Sequence, residues 1–225
     1  ALTTDQVGAL TAAQIGALSA TQAGAITTDQ AAVLTTDQVA AISAKAISGL
    51  ANDAVAALST DQVGALTAAQ IGAMKATQIA AMTTDQIGAL STAQIGALTA
   101  AQVGALSTDQ IGALSTDQIA AISTKAVAGL TATQVEAMTA DQIGAFTEAQ
   151  TAALSSTQID AMAAEDLAAF STGDIAAIST KAIPGLSADD ISGLTQDQVT
   201  AFTQTQIQAM NNSQVEALLA AYLEF

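Results

Sequence analysis

Bulky apolar residues recur every eight positions along the chain, from Leu2 to Leu218, which makes 28 octapeptide repeats without an insertion. The positions of a repeat, numbered here as slots one to eight, follow the consensus L-[ST]-x-x-Q-[IV]-[GA]-A. Slot one is Leu, Ile, Met or Phe, slot two is Ser or Thr in 23 repeats, and slot five is Gln in 20. Slot six therefore lies five positions after slot one, with polar residues between them. Slot one of the next repeat lies three positions after slot six.

This spacing does not fit one continuous helix or an ordinary strand. At about 100° per residue an octapeptide turns by about 800°, so an apolar stripe would drift by about 80° in every repeat. Strands favour alternating apolar residues and β-branched or aromatic side chains, whereas this chain is rich in Ala. A β-solenoid is therefore kept only as an alternative fold.

Each octapeptide carries a complete signal for the start of a helix. In the first repeat Thr3 and Gln6 form a capping box, and Leu2 and Val7 form a hydrophobic staple. The same capping residues follow in the next repeats, as Thr11 with Gln14 and Ser19 with Gln22. A helix of about six residues is unstable alone and persists only when packed against its neighbours. The pattern predicts an all-α fold, an α-solenoid of very short capped helices with one helix per octapeptide.

Three variant repeats with Lys in slot four suggest how many octapeptides form one coil. The residues 16 positions before and after Lys45, Lys125 and Lys181 are all acidic, namely Asp29, Asp61, Asp109, Asp141, Glu165 and Asp197. None of the residues 24 positions away is acidic. We therefore predict two octapeptides, or 16 residues, per coil, with each lysine relieving the repulsion within a column of carboxylates. A coil of three octapeptides is the alternative.

The repeat predicts one domain with a distinct end. Residues 1–210 form the octapeptide solenoid, and the last 15 residues depart from the consensus. In "NNSQVEALLAAYLEF" the apolar residues stand at helical spacing. We expect residues 211–225 to form a longer helix that closes the stack within the same domain, as terminal repeats often do.

The charge and composition exclude several classes of partner. A net charge of −16 repels the phosphates of nucleic acid, so we expect no nucleic-acid partner. No apolar run approaches the 18 or so residues of a membrane span, which predicts no direct membrane insertion. The chain has neither Cys nor His, which removes the thiolate and imidazole ligands of most transition-metal sites. We expect no cofactor.

The chain shows no sign of catalytic chemistry. A nucleophile needs a neighbouring base, but histidine is absent and the Ser and Thr residues recur as helix caps. The densest carboxylate pairs, Glu165-Asp166 and Asp189-Asp190, fall at the starts of predicted helices, where acids favour the helix dipole. We therefore predict that the chain is not an enzyme. Weak calcium binding along acidic columns and ice binding by Thr rows are minor alternatives, although slot two exchanges Thr and Ser almost evenly, as capping allows.

The stretch "LTTDQVGALTAAQIGALS" resembles octapeptide tracts of very large bacterial secreted and surface proteins of adhesin-like or haemagglutinin-like type. This resemblance implies an extracellular or cell-surface location and no catalytic or ligand residue. Because the chain opens inside a repeat, we expect it to be a segment of a longer protein. We predict a non-catalytic structural rod or spacer, whose partners are the neighbouring domains of the same long chain. The alternative is a repeat module that self-associates end to end into filaments or binds an adhesive ligand.

Overall fold

The computed structural model describes residues 2–223, and this part of the chain is helical with no strand. One short helix forms in almost every octapeptide, so the predicted all-α fold is confirmed and the β-solenoid alternative is wrong. The α-helices are α1 (Thr4–Gly8), α2 (Ala12–Gly16), α3 (Ala20–Ala23), α4 (Thr28–Ala32), α5 (Thr36–Ala41), α6 (Ala44–Ile47), α7 (Asn52–Ala56), α8 (Thr60–Gly64), α9 (Ala68–Ala73), α10 (Ala76–Ala80), α11 (Thr84–Gly88), α12 (Thr92–Gly96), α13 (Ala100–Gly104), α14 (Thr108–Gly112), α15 (Thr116–Ala121), α16 (Thr124–Val127), α17 (Ala132–Glu136), α18 (Ala140–Gly144), α19 (Glu148–Thr151), α20 (Ser156–Asp160), α21 (Ala164–Leu167), α22 (Thr172–Ala177), α23 (Ala188–Ser192), α24 (Gln196–Thr200), α25 (Gln204–Ala209) and α26 (Asn212–Leu223).

The helices begin at the predicted caps. The Thr3 hydroxyl accepts a hydrogen bond from the Gln6 backbone N–H at 3.2 Å, and the Gln6 Oε1 accepts one from the Thr3 N–H at 2.9 Å. The same capping box is present in the next two repeats, at Thr11 with Gln14 and Ser19 with Gln22. These bonds satisfy two backbone donors that a helix start otherwise leaves without a partner.

One coil consists of three octapeptides. Within each part of the chain, a helix packs against the third helix after it: α2 against α5, α3 against α6, and α4 against α7. We call the helices that stack on one another in this way, every third helix along the chain, a column. Residues 24 positions apart in the sequence are therefore neighbours in the same column. The prediction of two octapeptides per coil is wrong, and the three-octapeptide alternative is confirmed.

The core is formed by slots one and six of each repeat. In a typical inner repeat, the slot-one residue Leu66 is 3% exposed and the slot-six residue Ile71 is fully buried. The spacing of five and three residues brings both side chains to the inner edge of each short helix. Burial of this edge supplies the stability that a helix of four to six residues lacks by itself.

The chain forms two compact units, of which the first ends at Leu114 and the second begins at Ser115. Unit 1 contains α1 to α14 and unit 2 contains α15 to α26, and the three-octapeptide coil is present in each. The boundary falls inside an uninterrupted run of consensus repeats. The predicted extents of the repeat domain (1–210) and its closing segment (211–225) stay predictions, and residues 1, 224 and 225 lie outside the described part.

Two elements near the end of unit 2 differ from the others. The repeat that begins at Ile178 forms a 3-10 helix, Ile183–Gly185, in place of an α-helix, because Pro184 has no N–H for an α-helical hydrogen bond. Helix α26 has 12 residues, which makes it longer than the other helices of residues 2–223, and it packs against α23 and α24. Among residues 2–223, no helix is long and apolar enough to span a bilayer.

Candidate functional site

The slot-five glutamine connects each coil to the coil before it. In α9, the Nε2 of Gln70 donates to the carbonyl oxygens of Ile42 at 2.6 Å and Val39 at 2.9 Å. Its Oε1 accepts from the Thr67 N–H at 2.6 Å. One side chain that is 2% exposed thus joins the start of its own helix to the end of the preceding coil's helix.

The same geometry recurs in both units and forms a ladder of glutamines. Each Nε2 lies 2.6–2.9 Å from a slot-one carbonyl oxygen 28 residues earlier, and the residues concerned are Gln30, Gln38, Gln62, Gln70, Gln78, Gln86, Gln94, Gln102, Gln110, Gln150, Gln158, Gln198, Gln206 and Gln214. These side chains are at most 7% exposed. The carbonyls at the end of a short helix lack intrahelical partners. The ladder therefore satisfies the helix ends while it fixes the register between coils.

The glutamines of the first coil stand apart from this ladder. Gln6, Gln14 and Gln22 keep their capping boxes, but their side chains are exposed. Their Nε2 atoms donate no hydrogen bond within residues 2–223. The burial of the other glutamines thus depends on the coil that precedes them.

The role predicted for slot five is only half of its role in the structure. The return bond of a capping box needs only an acceptor, and Glu can make that bond as well. Yet slot five never contains Glu, since its exceptions are Ala46, Ala54, Ala126, Ala182, Asp166, Asp174, Asp190 and Tyr222. A carboxylate cannot donate to a carbonyl. The absence of Glu was the signal that this slot requires an N–H donor.

The predicted charge columns around the lysines depended on two octapeptides per coil and are wrong. Lys45 lies in a column with Thr21 and Ala69, because neighbours in a column are 24 residues apart, and not with Asp29 and Asp61. In unit 2, Lys125 precedes Ala149 in its column, and Lys181 lies between Thr157 and Thr205 in its own. The other acids are not stacked on the lysines to which they were assigned: Asp141 and Glu165 lie in a different column of unit 2, and Asp109 belongs to unit 1. Asp197 lies outside the column of Lys181, and in the column of Lys125 it stands three coils after that lysine. All three lysine side chains are exposed.

The lysine-type repeats differ structurally at their buried slots. Slot five is Ala, and Ala46 is fully buried where a glutamine would stand. Slot eight is Gly, and a Cβ on Gly49 would overlap the carbonyl oxygen of Ala20. A Cβ on Gly185 would overlap that of Ser156 in the same way. In these repeats the backbone approaches the preceding coil more closely than any side chain would allow.

The acidic residues do form columns, at the 24-residue spacing. In unit 1 slot four is acidic in four successive helices of one column, at Asp37, Asp61, Asp85 and Asp109. A second run in unit 2 consists of Asp117, Asp141, Glu165 and Asp189. These side chains are exposed. Across residues 2–223, no three potential metal ligands lie close enough together to hold an ion.

One buried polar pair replaces the ladder in unit 2. Asp174 occupies slot five of α22 and is 4% exposed. Its carboxylate accepts from the Ser171 N–H at 3.0 Å and from the Ser171 hydroxyl at 2.6 Å. It also accepts from the hydroxyl of Thr151, the slot-six residue of α19, at 3.3 Å. Asp174 replaces the consensus Gln and Thr151 replaces the consensus Ile or Val. The hydroxyl of one thus supplies the hydrogen bond that the carboxylate of the other accepts.

Comparison with known proteins agrees with this repeat unit. The family model for the ALTTAQ repeat matches residues 65–100, 79–116, 92–124, 113–148 and 167–204, which together span more than half of the chain. The letters of that name correspond to slots eight and one to five, as in "ALTAAQ" at residues 65–70. No curated protein matches the sequence. The chain belongs to the ALTTAQ repeat family.

Proposed function

We propose that this chain is a non-catalytic structural repeat module that serves as a spacer segment of a large bacterial surface or secreted protein. This function is supported by the positions of the recurrent side chains, all of which serve the packing or the capping of the helices. Slots one and six fill the core, slot two caps the helices, and slot five forms the glutamine ladder. Slots three and four face solvent in most repeats and vary in residue type. The repeat thus specifies a scaffold and leaves the chemistry of the surface open.

The same arrangement argues against an enzyme and against a cofactor. The slot-two hydroxyls that would have to act as nucleophiles accept hydrogen bonds from backbone amides, as Thr67 does from Gln70. No imidazole or thiol is available in the sequence as a base or a soft ligand. We therefore propose that the chain acts without catalysis and without a cofactor.

A solenoid of this kind suits a spacer because its contacts are local. Within each unit, helices pack against the third helix along the chain, so coils can be added or removed without changing the contacts of distant ones. At ordinary helix-to-helix distances, each coil of 24 residues extends a unit by about 8–10 Å. The resemblance of the repeat to tracts of bacterial surface proteins supports the extracellular location, with neighbouring domains of the same chain as partners.

The spacer function is tested by changing length in the whole surface protein. Deletion of one coil, residues 66–89, and then of further coils should reduce presentation of the attached domain in graded steps. A solenoid of unrelated sequence but equal length should restore it. If the unrelated solenoid fails where the native repeat succeeds, the surface of the repeat has a binding function and the spacer proposal is wrong.

A further inference from the structure

The glutamine ladder is interrupted for more than one complete coil inside unit 2. Four successive repeats lack the slot-five glutamine, and the residues in its place are Asp166, Asp174, Ala182 and Asp190. Elsewhere in the sequence at most two successive repeats lack it. Because a coil consists of three octapeptides, a full turn of the coil-to-coil interface here has no glutamine donor. We call this interface, at which residues 162–193 meet the coil before them, the seam.

The carbonyl oxygens that the missing amides would bind have no other donor. In an intact turn, the Nε2 of Gln198 donates to the carbonyl of Phe170 at 2.8 Å. At the seam, the carbonyls 28 residues before each substituted slot accept no hydrogen bond from residues 2–223, and they belong to Met138, Phe146, Leu154 and Met162. The seam therefore lacks the bonds that elsewhere hold one coil on the next.

The ladder continues on both sides of the seam. Before it, the Nε2 of Gln158 donates to the carbonyl of Leu130 at 2.9 Å. After it, three successive glutamines donate to the repeats of the seam itself, namely Gln198, Gln206 and Gln214 to the carbonyls of Phe170, Ile178 and Leu186. The seam thus divides unit 2 into two parts, each of which is joined internally by glutamines.

Apolar packing and one polar pair keep the seam closed. On one side Ile159 is fully buried, and on the other Phe170 is 3% exposed. The Thr151 hydroxyl also donates across the seam to the carboxylate of Asp174 at 3.3 Å. Since one hydrogen bond changes a folding equilibrium by about 2- to 12-fold, the loss of several makes opening easier here than at an intact turn.

Like charges weaken the same interface. The slot-four residue Glu165 is stacked between Asp141 and Asp189, and all three are exposed carboxylates. The substitutions in slot five add three more carboxylates where the consensus has a neutral amide. The one cation among residues 138–193 is Lys181, in another column. Repulsion between carboxylates therefore favours separation at the seam.

We propose that unit 2 opens at the seam ahead of the rest of the unit, and that this opening lets the spacer lengthen under tension before its other coils unfold. Tension along the solenoid pulls successive coils apart, so it acts directly on this interface. The helices beside the seam have three to six residues and depend on packing, so they lose their order when the seam parts. The opening is a property of the chain, whereas its use in lengthening rests on the spacer function.

The opening is tested by the rate at which a buried thiol reacts with a labelling reagent. The native sequence has no cysteine, so an introduced one is the only thiol. Ile159→Cys places it at the seam, and Ile119→Cys places it in the same slot of an intact turn, where Gln150 donates to the Ile119 carbonyl at 2.8 Å. Both isoleucines are fully buried. We expect Ile159→Cys to react at least about tenfold faster, since it needs only the local opening.

Restoring two amides in the Ile159→Cys chain separates the ladder from charge. Asp166→Gln/Asp190→Gln supplies donors for the carbonyls of Met138 and Met162 and should slow the labelling about tenfold. Glu165→Gln/Asp189→Gln removes the same two charges from the neighbouring exposed slots of the same helices but adds no donor across the seam. It should slow the labelling less than about threefold. Circular dichroism checks that all variants keep the native helical content.

Stretching of single chains tests the lengthening. Handles attached through Thr133→Cys and Thr205→Cys, two exposed positions of one column on opposite sides of the seam, apply force across it. The first lengthening step should need more force after Asp166→Gln/Asp190→Gln than in the otherwise native chain.

Three results would overturn the proposal: equal labelling of the two thiols, equal slowing by the two double variants, or an unchanged force for the first step. These measurements use the isolated chain. The spacer function is measured by length in the whole surface protein, so its failure and the failure of the opening can be told apart.

Discussion

The slot-five glutamine performs two hydrogen-bonding tasks for which few side chains are suited. Its Oε1 completes the capping box, and its Nε2 reaches the helix end of the preceding coil. Glu has the length and the acceptor but no donor, and Asp is both shorter and without a donor. Asp166, Asp174 and Asp190 accordingly keep the bond to the cap N–H, and none donates to a carbonyl. Where slot five is glutamine, coil-to-coil register thus depends on a single amide group in the repeat.

Replacing this amide in an inner coil should be costly. Gln70→Glu preserves the bond from the Thr67 N–H but removes the donations to the preceding coil and places a carboxylate against the carbonyl oxygens of Val39, Ala40 and Ile42. We expect a loss of about 2–4 kcal/mol in the free energy of unfolding. The matched control is Gln22→Glu, with the same capping bonds in an exposed coil, which should change stability by less than about 0.5 kcal/mol. Urea denaturation measures both, and equal losses would show that the ladder contributes nothing.

The close approach at the lysine-type repeats gives a second prediction for single residues. Gly49→Ala would place a Cβ on the carbonyl oxygen of Ala20, so α6 and α3 would have to separate. We expect a destabilisation of about 1–3 kcal/mol, as overpacking of a core causes. Gly64→Ala serves as the control, because a Cβ there meets no atom within 4 Å and should stabilise α8 by about 0.5–1 kcal/mol. Thermal unfolding followed by circular dichroism measures the pair, and a neutral Gly49→Ala would refute the close contact.

How far the sequence alone predicts these residues depends on the distance between partners. The capping partners Thr3 and Gln6 are three residues apart, so local propensity was sufficient to find them. The ladder partners Gln38 and Leu10 are 28 residues apart, and their pairing requires the number of repeats per coil. That number was predicted from the lysines, which lie on the surface and do not contribute to the packing.

At the scale of the helices, stability comes from stacking rather than from length. Helices of four to six residues are far below the length at which an isolated helix is stable in water. Here most helices are capped by a side chain at the start. They are buried along slots one and six, and in most repeats the end of a helix is joined to a glutamine four helices later, as α5 is to Gln70 of α9. The pair of Thr151 and Asp174 shows that a different polar contact between stacked helices can replace this connection.

The coupling between α19 and α22 can be measured with a double-mutant cycle. Thr151→Val leaves the buried carboxylate of Asp174 without one donor and should cost about 1–3 kcal/mol. The double variant Thr151→Val/Asp174→Gln restores the consensus at both slots, so the new amide can donate to Ile143 and Phe146. We expect the double variant to be more stable than Thr151→Val, with a coupling free energy of about 1–3 kcal/mol. Additive effects, measured by urea denaturation, would show that the two residues act independently.

The number of helices per coil could be predicted from the sequence, but from the acidic residues and not from the lysines. The acids 16 residues from each lysine suggested a two-octapeptide coil, and the structure shows that they are not stacked on the lysines. The acids themselves repeat every 24 residues, as Asp37, Asp61, Asp85 and Asp109 do. Periodicity among many equivalent residues reports on the stacking, whereas three lysines were too few to do so.

For the molecule as a whole, the charge is concentrated in columns that no lysine interrupts. Unit 1 contains the run from Asp37 to Asp109, and unit 2 contains the run from Asp117 to Asp189. Successive carboxylates stand about one helix spacing apart, which is comparable to the screening length at physiological salt. Each run therefore opposes the stacking that the glutamines and the core support.

Removing one carboxylate from the middle of a run should stabilise the fold. Asp61 has an acidic neighbour on either side in its column, Asp37 and Asp85, so Asp61→Asn relieves two repulsions. Asp197 occupies the same slot and the same helix position, but its neighbours in the column are Gly173 and Ala221, so Asp197→Asn relieves none. Both substitutions weaken the interaction of a carboxylate with the helix dipole. The difference between their effects on the free energy of unfolding, roughly a few tenths of a kcal/mol in favour of Asp61→Asn, isolates the repulsion within the column.

Thermal unfolding in 20 mM NaCl should reveal this difference, and it should fade in 500 mM NaCl, where the screening length is only a few ångströms. A difference that is absent at low salt, or that persists unchanged at high salt, would show that the acids of a column do not interact.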